Sequence, residues 1–279
     1  MIMQTADNTT TLLQLADSLG AISIIVRSVY GPLAHPFTVL SGNGSVSKTK
    51  DTKIILQNIC DSSVQRAIAQ QTIINILENQ PELSKAGTKT AVMIASNLIH
   101  ELSLLDHSNE NLYNVLDGMK AGQIFIEDRL NAITIQKGPD SIVGGGLAYI
   151  NFRRPLMALA RKATDPSEKK GLWILAQSLA APISALLFQA GFNSEEKLLR
   201  LKSVWPNQYY SLQHHGFDNS MPHSKGKMDI FLYGIDLSNG KVVNYLEQGI
   251  TQPKQTISDT LDLSFQMTTE LLKTFAIIE

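Results

Sequence analysis

The residues that carry metal-binding or nucleophilic side chains form no complete catalytic set in this sequence. His214, His215 and His223 lie close together and suggest a zinc site. Zinc sites need three or four Cys, His or carboxylate ligands, and no Cys lies near these histidines. The only cysteine, Cys60, is interpreted as a small buried side chain rather than a nucleophile. Because too few ligands are present, we predict no metal site and interpret the histidines as exposed loop residues. No G-x-S-x-G elbow occurs, so we predict no hydrolase triad either.

The composition is typical of a folded intracellular protein. The 279 residues are 43% hydrophobic, which is enough for one large domain. Lys and Arg number 24 against 25 Asp and Glu, a formal net charge of −1, whereas nucleic-acid binders usually carry a basic excess. The N-terminus does not resemble a signal peptide, and no apolar run reaches the roughly 18 residues of a membrane span. A single cysteine fits a reducing compartment, so we expect a cytoplasmic protein with no nucleic-acid partner and no direct membrane insertion.

Apolar residues at helical spacing predict a mainly α bundle edged by two small β-hairpins. The first helix is expected to carry its apolar stripe on Leu12, Leu15, Leu19, Ile22, Val26 and Val29. Helices with defined bounds are predicted over 9–30, 54–77 (with one break), 111–133 and 253–275. Further helices are predicted to begin at about residue 88, after the glycines 144–146, and at residue 165, the last with a bend at Pro182. The last of these is expected to face inward with Ile257, Leu261, Phe265, Thr268 and Leu272. Hairpins are predicted for 37–46 and for 229–246.

One region departs from the helical pattern. From residue 192 to residue 227 the periodicity weakens and four aromatic residues gather: Trp205, Tyr209, Tyr210 and Phe217. A tolerated surface insertion is one interpretation, because long loops close at little entropic cost. A partner-binding loop is the other, because Trp and Tyr are favoured anchors of protein interfaces.

Five short motifs, in order along the chain, resemble the chaperonins of the bacterial type (group I). Tyr30-Gly31-Pro32, with the strand 37–40 and Thr49-Lys50-Asp51, is similar to the first phosphate loop of that family. Residues 86–95, A-G-T-K-T-A-V-M-I-A, resemble the second phosphate loop and the helix that follows it. Residues 144–148, G-G-G-L-A, resemble the glycine turn that packs against the nucleotide. Residues 233–236 and 249–253 resemble the base-and-ribose end of the same pocket.

The resemblance implies a single equatorial domain over 1–279, with 192–227 as an inserted loop region. The equatorial domain is the part of a chaperonin that binds ATP and makes most ring contacts. Only about 56 residues separate Thr88 from Gly144, the interval in which the family inserts its intermediate and apical domains. The apical surface that captures unfolded clients is therefore expected to be absent.

The resemblance also implies an ATP site that has lost several groups. Ala86 stands where the family has its Mg²⁺-binding Asp, and Lys89 interrupts a run of threonines. Leu33-Ala34 replace Lys-Gly in the first loop, where bulky Leu33 should hinder close backbone approach to a phosphate, and Gln252 replaces an Asp at the ribose end. Phosphoryl transfer depends on positioned metal and donors, and an enzyme must lower its barrier by about 8 kcal/mol or more. We therefore expect no enzymatic activity and a pseudo-ATPase.

Two carboxylates of the family pattern remain. Asp51 matches a carboxylate that the family places near the γ-phosphate. Asp128 matches the water-activating Asp in spacing and context, but the charged stretch 127–129 also fits a solvated helix end, which we favour.

The sequence thus predicts an adaptor or scaffold subunit of a larger bacterial assembly, of which a secretion-machine coupling complex is one conceivable host. Its partners are predicted to be other proteins, and a homo-oligomer is left open. The alternatives are a weak nucleotide-binding protein and a modulator that joins chaperonin rings. No cofactor is expected, with ATP or ADP as the doubtful exception. The residues expected to form a vestigial nucleotide pocket are Gly31, Pro32, Asp51, Gly87, Thr88, Lys89, Thr90, Gly145 and Gly146. The residues expected to bind a partner are Trp205, Tyr209, Tyr210 and Phe217.

Overall fold

Helices dominate the chain, which a computed structural model describes over residues 2–40, 44–59, 63–80, 87–105, 111–132, 140–204 and 232–278. The helices are α1 (Ile2–Ser28), α2 (Thr52–Gln57), α3 (Val64–Glu78), α4 (Thr88–Ser103), α5 (Leu112–Ala132), α6 (Leu147–Lys162), α7 (Pro166–Ser178), α8 (Ala181–Gln189), α9 (Ser194–Val204) and α10 (Lys254–Thr274). The strands are β1 (Phe37–Leu40), β2 (Val46–Thr49), β3 (Ser141–Val143), β4 (Tyr233–Ile235), β5 (Val242–Asn244) and β6 (Thr251–Pro253).

The centre of the bundle is α4, which packs against α1, α7, α8 and α10. Its buried apolar side chains are Ala91, Val92, Met93, Ile94, Ala95, Leu98, Ile99 and Leu102. A helix that is apolar on nearly every face belongs inside a core rather than on its surface. The first turn of α4 therefore has a fixed position relative to the helices around it.

The apolar stripes predicted for the first and last helices are confirmed. The six residues of the first stripe are each at most 3% exposed, and all but Val29, which follows the helix, lie in α1. In α10, Phe265 is partly buried and the other four predicted residues are buried. The 3.6-residue period places such residues on one helix face, where they pack against the core.

The region after Asp165 forms two helices rather than one bent helix. A carboxylate oxygen of Asp165 accepts the backbone N–H of Glu168 at 2.9 Å, which confirms the predicted start of α7. That helix ends at Ser178, and α8 begins at Ala181 with Pro182 in its first turn. The predicted bend at Pro182 is therefore wrong: proline fits the first turn of a new helix, where its missing N–H has no partner to lose.

The segment expected to be a loop over 192–227 begins instead with a helix. The side chain of Asn193 accepts the backbone N–H of Glu196 at 3.1 Å, and Glu195 and Glu196 occupy the first turn of α9. Acidic residues favour a helix N-terminus through its dipole, a signal that apolar periodicity does not register. The four aromatic residues predicted to bind a partner and the three histidines lie outside the described residues, as does Cys60.

In the described part of the chain, three two-stranded antiparallel sheets edge the bundle. Both predicted hairpins form, with Phe37 opposite Thr49 in β1–β2 and Tyr233 opposite Asn244 in β4–β5. The third sheet was not predicted: β3 pairs with β6 through Ile142 opposite Gln252 and its two neighbours. It joins parts of the chain that are far apart in sequence.

Two stretches are long and apolar enough to cross a membrane by length and composition alone, which corrects the expectation that no apolar run reaches that length. They are Thr9–Ser28 and Pro166–Gln189, and 44% and 67% of their apolar windows are buried in the fold. The first lies within α1, and the second includes α7 and α8; α1 and α7 contribute to the main apolar core, and α8 contributes Ile183 and Leu187 to a second, smaller cluster. Core helices of folded proteins pass the same test, so the two stretches are weak evidence of a membrane span.

Candidate functional site

An open cavity of about 300 Å³ lies where the first two phosphate-loop motifs meet. Its lining consists of Val29, Tyr30, Gly31, Lys50, Gly87, Thr88, Lys89 and Thr90. The structure thus brings together five residues predicted for a nucleotide pocket: Gly31 and the four consecutive residues 87–90. Tyr30 and Lys50, which belong to the same motifs, also line the cavity, although the motifs alone do not predict them as pocket residues.

The two loops are held by left-handed glycines and by hydroxyl contacts. Gly87 precedes α4 with φ of 99°, and a Cβ there would lie 2.1 Å from the Thr260 hydroxyl oxygen of α10. Only glycine combines this backbone conformation with so close an approach. The hydroxyl oxygens of Thr52 and Thr88 are 3.0 Å apart, and Thr90 donates a hydrogen bond to the Tyr30 hydroxyl oxygen at 3.2 Å. These bonds tie the pocket wall to the start of α4.

The pocket is electropositive. Lys89 is the second residue of α4, and burial lowers the pKa of its ammonium group. The nearby Asp51 carboxylate opposes this shift in the pKa of Lys89, whereas the charge of Lys50 adds to it. The Lys50 ammonium nitrogen lies 3.5 Å from the carbonyl oxygen of Gly31. Two ammonium groups beside a helix N-terminus form an environment that favours an anion.

Asp51 lies at the border of the pocket rather than in its lining. Its carboxylate oxygen accepts the backbone N–H of Ile54 at 3.0 Å and caps α2. The carboxylate thus has a structural role already, and it also lies close enough to Lys89 to raise the pKa of that lysine.

The glycine turn at 144–146 lies against other elements instead of lining the cavity. A Cβ at Gly146 would lie 3.0 Å from the backbone nitrogen of Ile183 in α8, and one at Gly145 would lie 2.7 Å from the Tyr245 ring. Gly144 donates its backbone N–H to the carbonyl of Ile250 at 3.0 Å. The turn therefore lies beside the segments predicted as the base-and-ribose end.

Replacing Tyr245 by Phe is expected to lower stability by about 1 kcal/mol at pH 8, because the buried hydroxyl group donates to the Ile235 carbonyl. That hydrogen bond is 2.7 Å long, and burial raises the pKa of Tyr245 to about 12. An unfolded tyrosine ionises near pH 10, so the wild type should lose stability as pH rises from about 10 through 12. Urea unfolding of both proteins at pH 8, 10 and 11.5 measures this, and the difference between them should shrink with pH. A constant difference would contradict the assignment.

The remaining predicted residues lie away from the cavity lining. Pro32 follows Gly31 without entering the lining, and Leu33 is 50% exposed. Asp128 is exposed in the last turns of α5, which agrees with the charged helix end that we favoured. Gln252 has a buried amide nitrogen without a hydrogen-bond partner among the described residues.

Comparison with known proteins links this geometry to the chaperonins. No family model matches the chain. It is 23% identical over 144 residues to the RuBisCO large subunit-binding protein subunit beta-1 of Chlamydomonas reinhardtii, covering 52% of this chain and 28% of that protein. It is 21% identical over 230 residues to Chaperonin GroEL 1 of Prochlorococcus marinus (strain MIT 9312), covering 82% of this chain and 33% of that protein. The matches thus span about a third of the length of these relatives or less.

A solved structure agrees with these sequence matches. A group III chaperonin in the open state superposes with a TM-score of 0.73 at 11% identity, covering 95% of this chain and 98% of that chain. The matches contradict our expectation that the chain is not an enzyme, because chaperonins are ATPases and no observation shows that this chain is inactive. That expectation was based only on substitutions within short motifs, and such substitutions do not by themselves show that a site is inactive. The chain has a mainly α fold similar to the equatorial domain of chaperonins.

Proposed function

We propose that this chain is an adaptor or scaffold subunit of a larger bacterial protein assembly in the cytoplasm. The observation that carries the proposal is an exposed apolar pair on the first hairpin. Leu40 and Val46 lie opposite each other in β1–β2 and are 71% and 65% exposed. Cross-strand neighbours share one face of a sheet, so the two side chains form a single apolar contact surface. Apolar side chains that cluster on a surface mark interaction sites more often than scattered ones.

Three further elements belong to the same proposal. The bacterial type of the chaperonin resemblance is supported by the curated relatives, which carry the names GroEL and RuBisCO-binding protein. The aromatic segment at 205–217 is proposed as a second contact region. A secretion-machine coupling complex is one conceivable host, although no sequence motif identifies it.

Substituting Leu40 and Val46 together by serine is expected to release the chain from its assembly. Tagged wild-type chain, expressed at its endogenous level, should purify with stoichiometric companions and a mass by light scattering well above that of one chain. The double variant should elute at the mass of one chain with its helical circular dichroism unchanged. Leu199→Ser is the matched control, because Leu199 is 62% exposed on α9 and lies outside the hairpin.

The outcomes separate the candidates for assembly. A wild-type chain that purifies alone at the mass of one chain would contradict the proposal. Co-purification with a chaperonin ring would replace the adaptor role by that of a ring modulator. An assembly that survives the double variant but not deletion of residues 205–217 would move the contact to the aromatic segment.

Nucleotide binding is the second candidate function, favoured by the cavity between the two phosphate loops. The cavity lies at the start of the buried helix α4, and its lining supplies two ammonium groups and two threonine hydroxyls. Ligand pockets have volumes of about 300–1,000 Å³, so this cavity lies at the small end and suits the phosphate part of a nucleotide. Binding of ATP, with or without magnesium, tests this candidate, and failure under both conditions would contradict it.

A further inference from the structure

The residues around the pocket do not match the magnesium ion that the chaperonin resemblance implies. Mg²⁺ bound with nucleotide takes oxygen ligands, and the protein usually contributes one or two carboxylates to it. The described lining contributes ammonium and hydroxyl groups and no carboxylate. The neighbouring Asp51 carboxylate already accepts a backbone N–H and faces the charge of Lys89. Across the described part of the chain, no three His, Cys, Asp or Glu residues lie together as a metal site would need.

Lys89 is held in a position where its charge is unfavourable without an anion. Its ammonium group is partly removed from water, it is the second residue of α4, and Lys50 repels it. A cation near a helix N-terminus is disfavoured by the helix dipole. Among the charges of the described residues that act on Lys89, Asp51 is the one that compensates. A bound anion would relieve all three unfavourable contributions together.

The start of α4 supplies further donors for such an anion. The first N–H groups of a helix have no intrahelical partner, and Gly87 offers no side chain to cap them. Residues 88–90, the first turn of α4, line the cavity. Helix N-termini of this kind bind phosphate groups.

We infer that the pocket binds the phosphate groups of a nucleotide without a divalent cation, and that Lys89 and Lys50 supply the positive charge instead. The inference rests on the proposed nucleotide-binding function and names the ionic form of its ligand. Metal-free ATP carries more negative charge than its magnesium complex, so a cationic pocket binds the free form more tightly. Magnesium should therefore compete with the protein for the phosphates.

Titration calorimetry of the full chain with ATP tests the inference, once in EDTA and once in excess MgCl₂ at equal ionic strength. We expect binding in EDTA to be at least as tight as in magnesium. Lys89→Gln should weaken binding by about tenfold to a hundredfold, the range of a lost charge-assisted hydrogen bond. Lys48→Gln is the control, because Lys48 is exposed on β2 outside the lining and its charge is screened by salt. It should change the dissociation constant less than twofold.

A second readout separates ligand binding from a structural role. If Lys89 is unfavourable without an anion, the ligand-free Lys89→Gln variant should melt at the same temperature as the wild type or higher. A markedly lower melting temperature would contradict that argument. Lys50→Gln then provides an independent test, because Lys50 is exposed and its loss should weaken binding without unfolding the protein.

The results distinguish this inference from the function on which it rests. Binding of ATP that requires magnesium would overturn the inference and leave nucleotide binding intact. No binding in either buffer would overturn both. Inorganic tripolyphosphate serves as a third ligand: binding in EDTA that Lys89→Gln weakens would support recognition of phosphate, and no binding would overturn it.

Discussion

Gly171→Ala should destabilise the fold by about 3 kcal/mol, although alanine is the better helix former. Gly171 lies where α7 crosses α5, and a Cβ there would lie 2.1 Å from the carbonyl oxygen of Val115 and 2.6 Å from the backbone nitrogen of Met119. Both contacts are with backbone atoms, so no side chain can rotate away. The helices would have to move apart along their whole contact, and close-packed interiors resist such shifts.

On the α5 side of the crossing, a glycine also lies directly against backbone atoms of the other helix. A Cβ at Gly118 would lie 2.6 Å from the carbonyl oxygen of Glu168. Glycine thus faces backbone from both helices, which brings the helix axes closer than larger side chains would permit. Gly118→Ala should therefore destabilise in the same direction as Gly171→Ala.

Gly20→Ala is the matched control for Gly171→Ala, because it makes the same chemical change inside another helix. Gly20 lies in α1, and within the described parts of the chain nothing beyond its own stretch of helix lies within 4 Å of the position its Cβ would take. It should therefore stabilise the protein by about 0.5–1 kcal/mol through helix propensity alone. Urea unfolding followed by circular dichroism measures both changes. Equal effects of the two substitutions would contradict the close crossing.

Local sequence patterns were sufficient to predict the elements that depend only on interactions between residues close together in the chain. The α1 stripe follows from the helical period, and the Asp165 cap follows from a side chain that satisfies a helix N-terminus. The β1–β2 hairpin follows from its glycine-rich turn. None of these requires knowledge of distant residues.

The features that the sequence did not predict depend on distant partners. β3 and β6 have three residues each, too few for a period to be recognised, and they exist because they pair with each other. The division between α7 and α8 depends on how each helix packs: both contact α4, but α7 also lies against α5 and α6, whereas α8 lies against α9. The close crossing of α5 and α7 could not be predicted for the same reason: in the sequence, Gly118 and Gly171 are simply single glycines inside two helical patterns.

The candidate site was predicted in part for the same reason. Residues adjacent in the chain, such as 87–90, stay together in the pocket wall. Lys50 joins them only because β2 ends beside Gly31, a tertiary contact that motif order alone did not assign. Gly145 and Gly146 were grouped with the pocket, but their described contacts are to Tyr245 and to α8. Motif resemblance located the region, and packing determined which side chains line the cavity.

Leu98→Ala should destabilise the protein by about 2–5 kcal/mol, the range for deleting a fully buried leucine. Leu98 is 0% exposed in α4. That helix packs against four others, so the surroundings cannot collapse into the space without moving several elements at once. The cost therefore includes a cavity term as well as the lost transfer free energy.

Leu199→Ala is the control for Leu98→Ala, since Leu199 is 62% exposed on α9 and its truncation should change stability by no more than about 0.5 kcal/mol. Urea unfolding gives both values. Because Leu98 lies in the helix whose first turn forms the pocket wall, the Leu98→Ala protein also shows whether that turn depends on the core. A folded variant that still binds ATP would show that the first turn keeps its position despite a cavity in the core. A variant that loses only a few tenths of a kcal/mol would contradict the central position of α4 in the core.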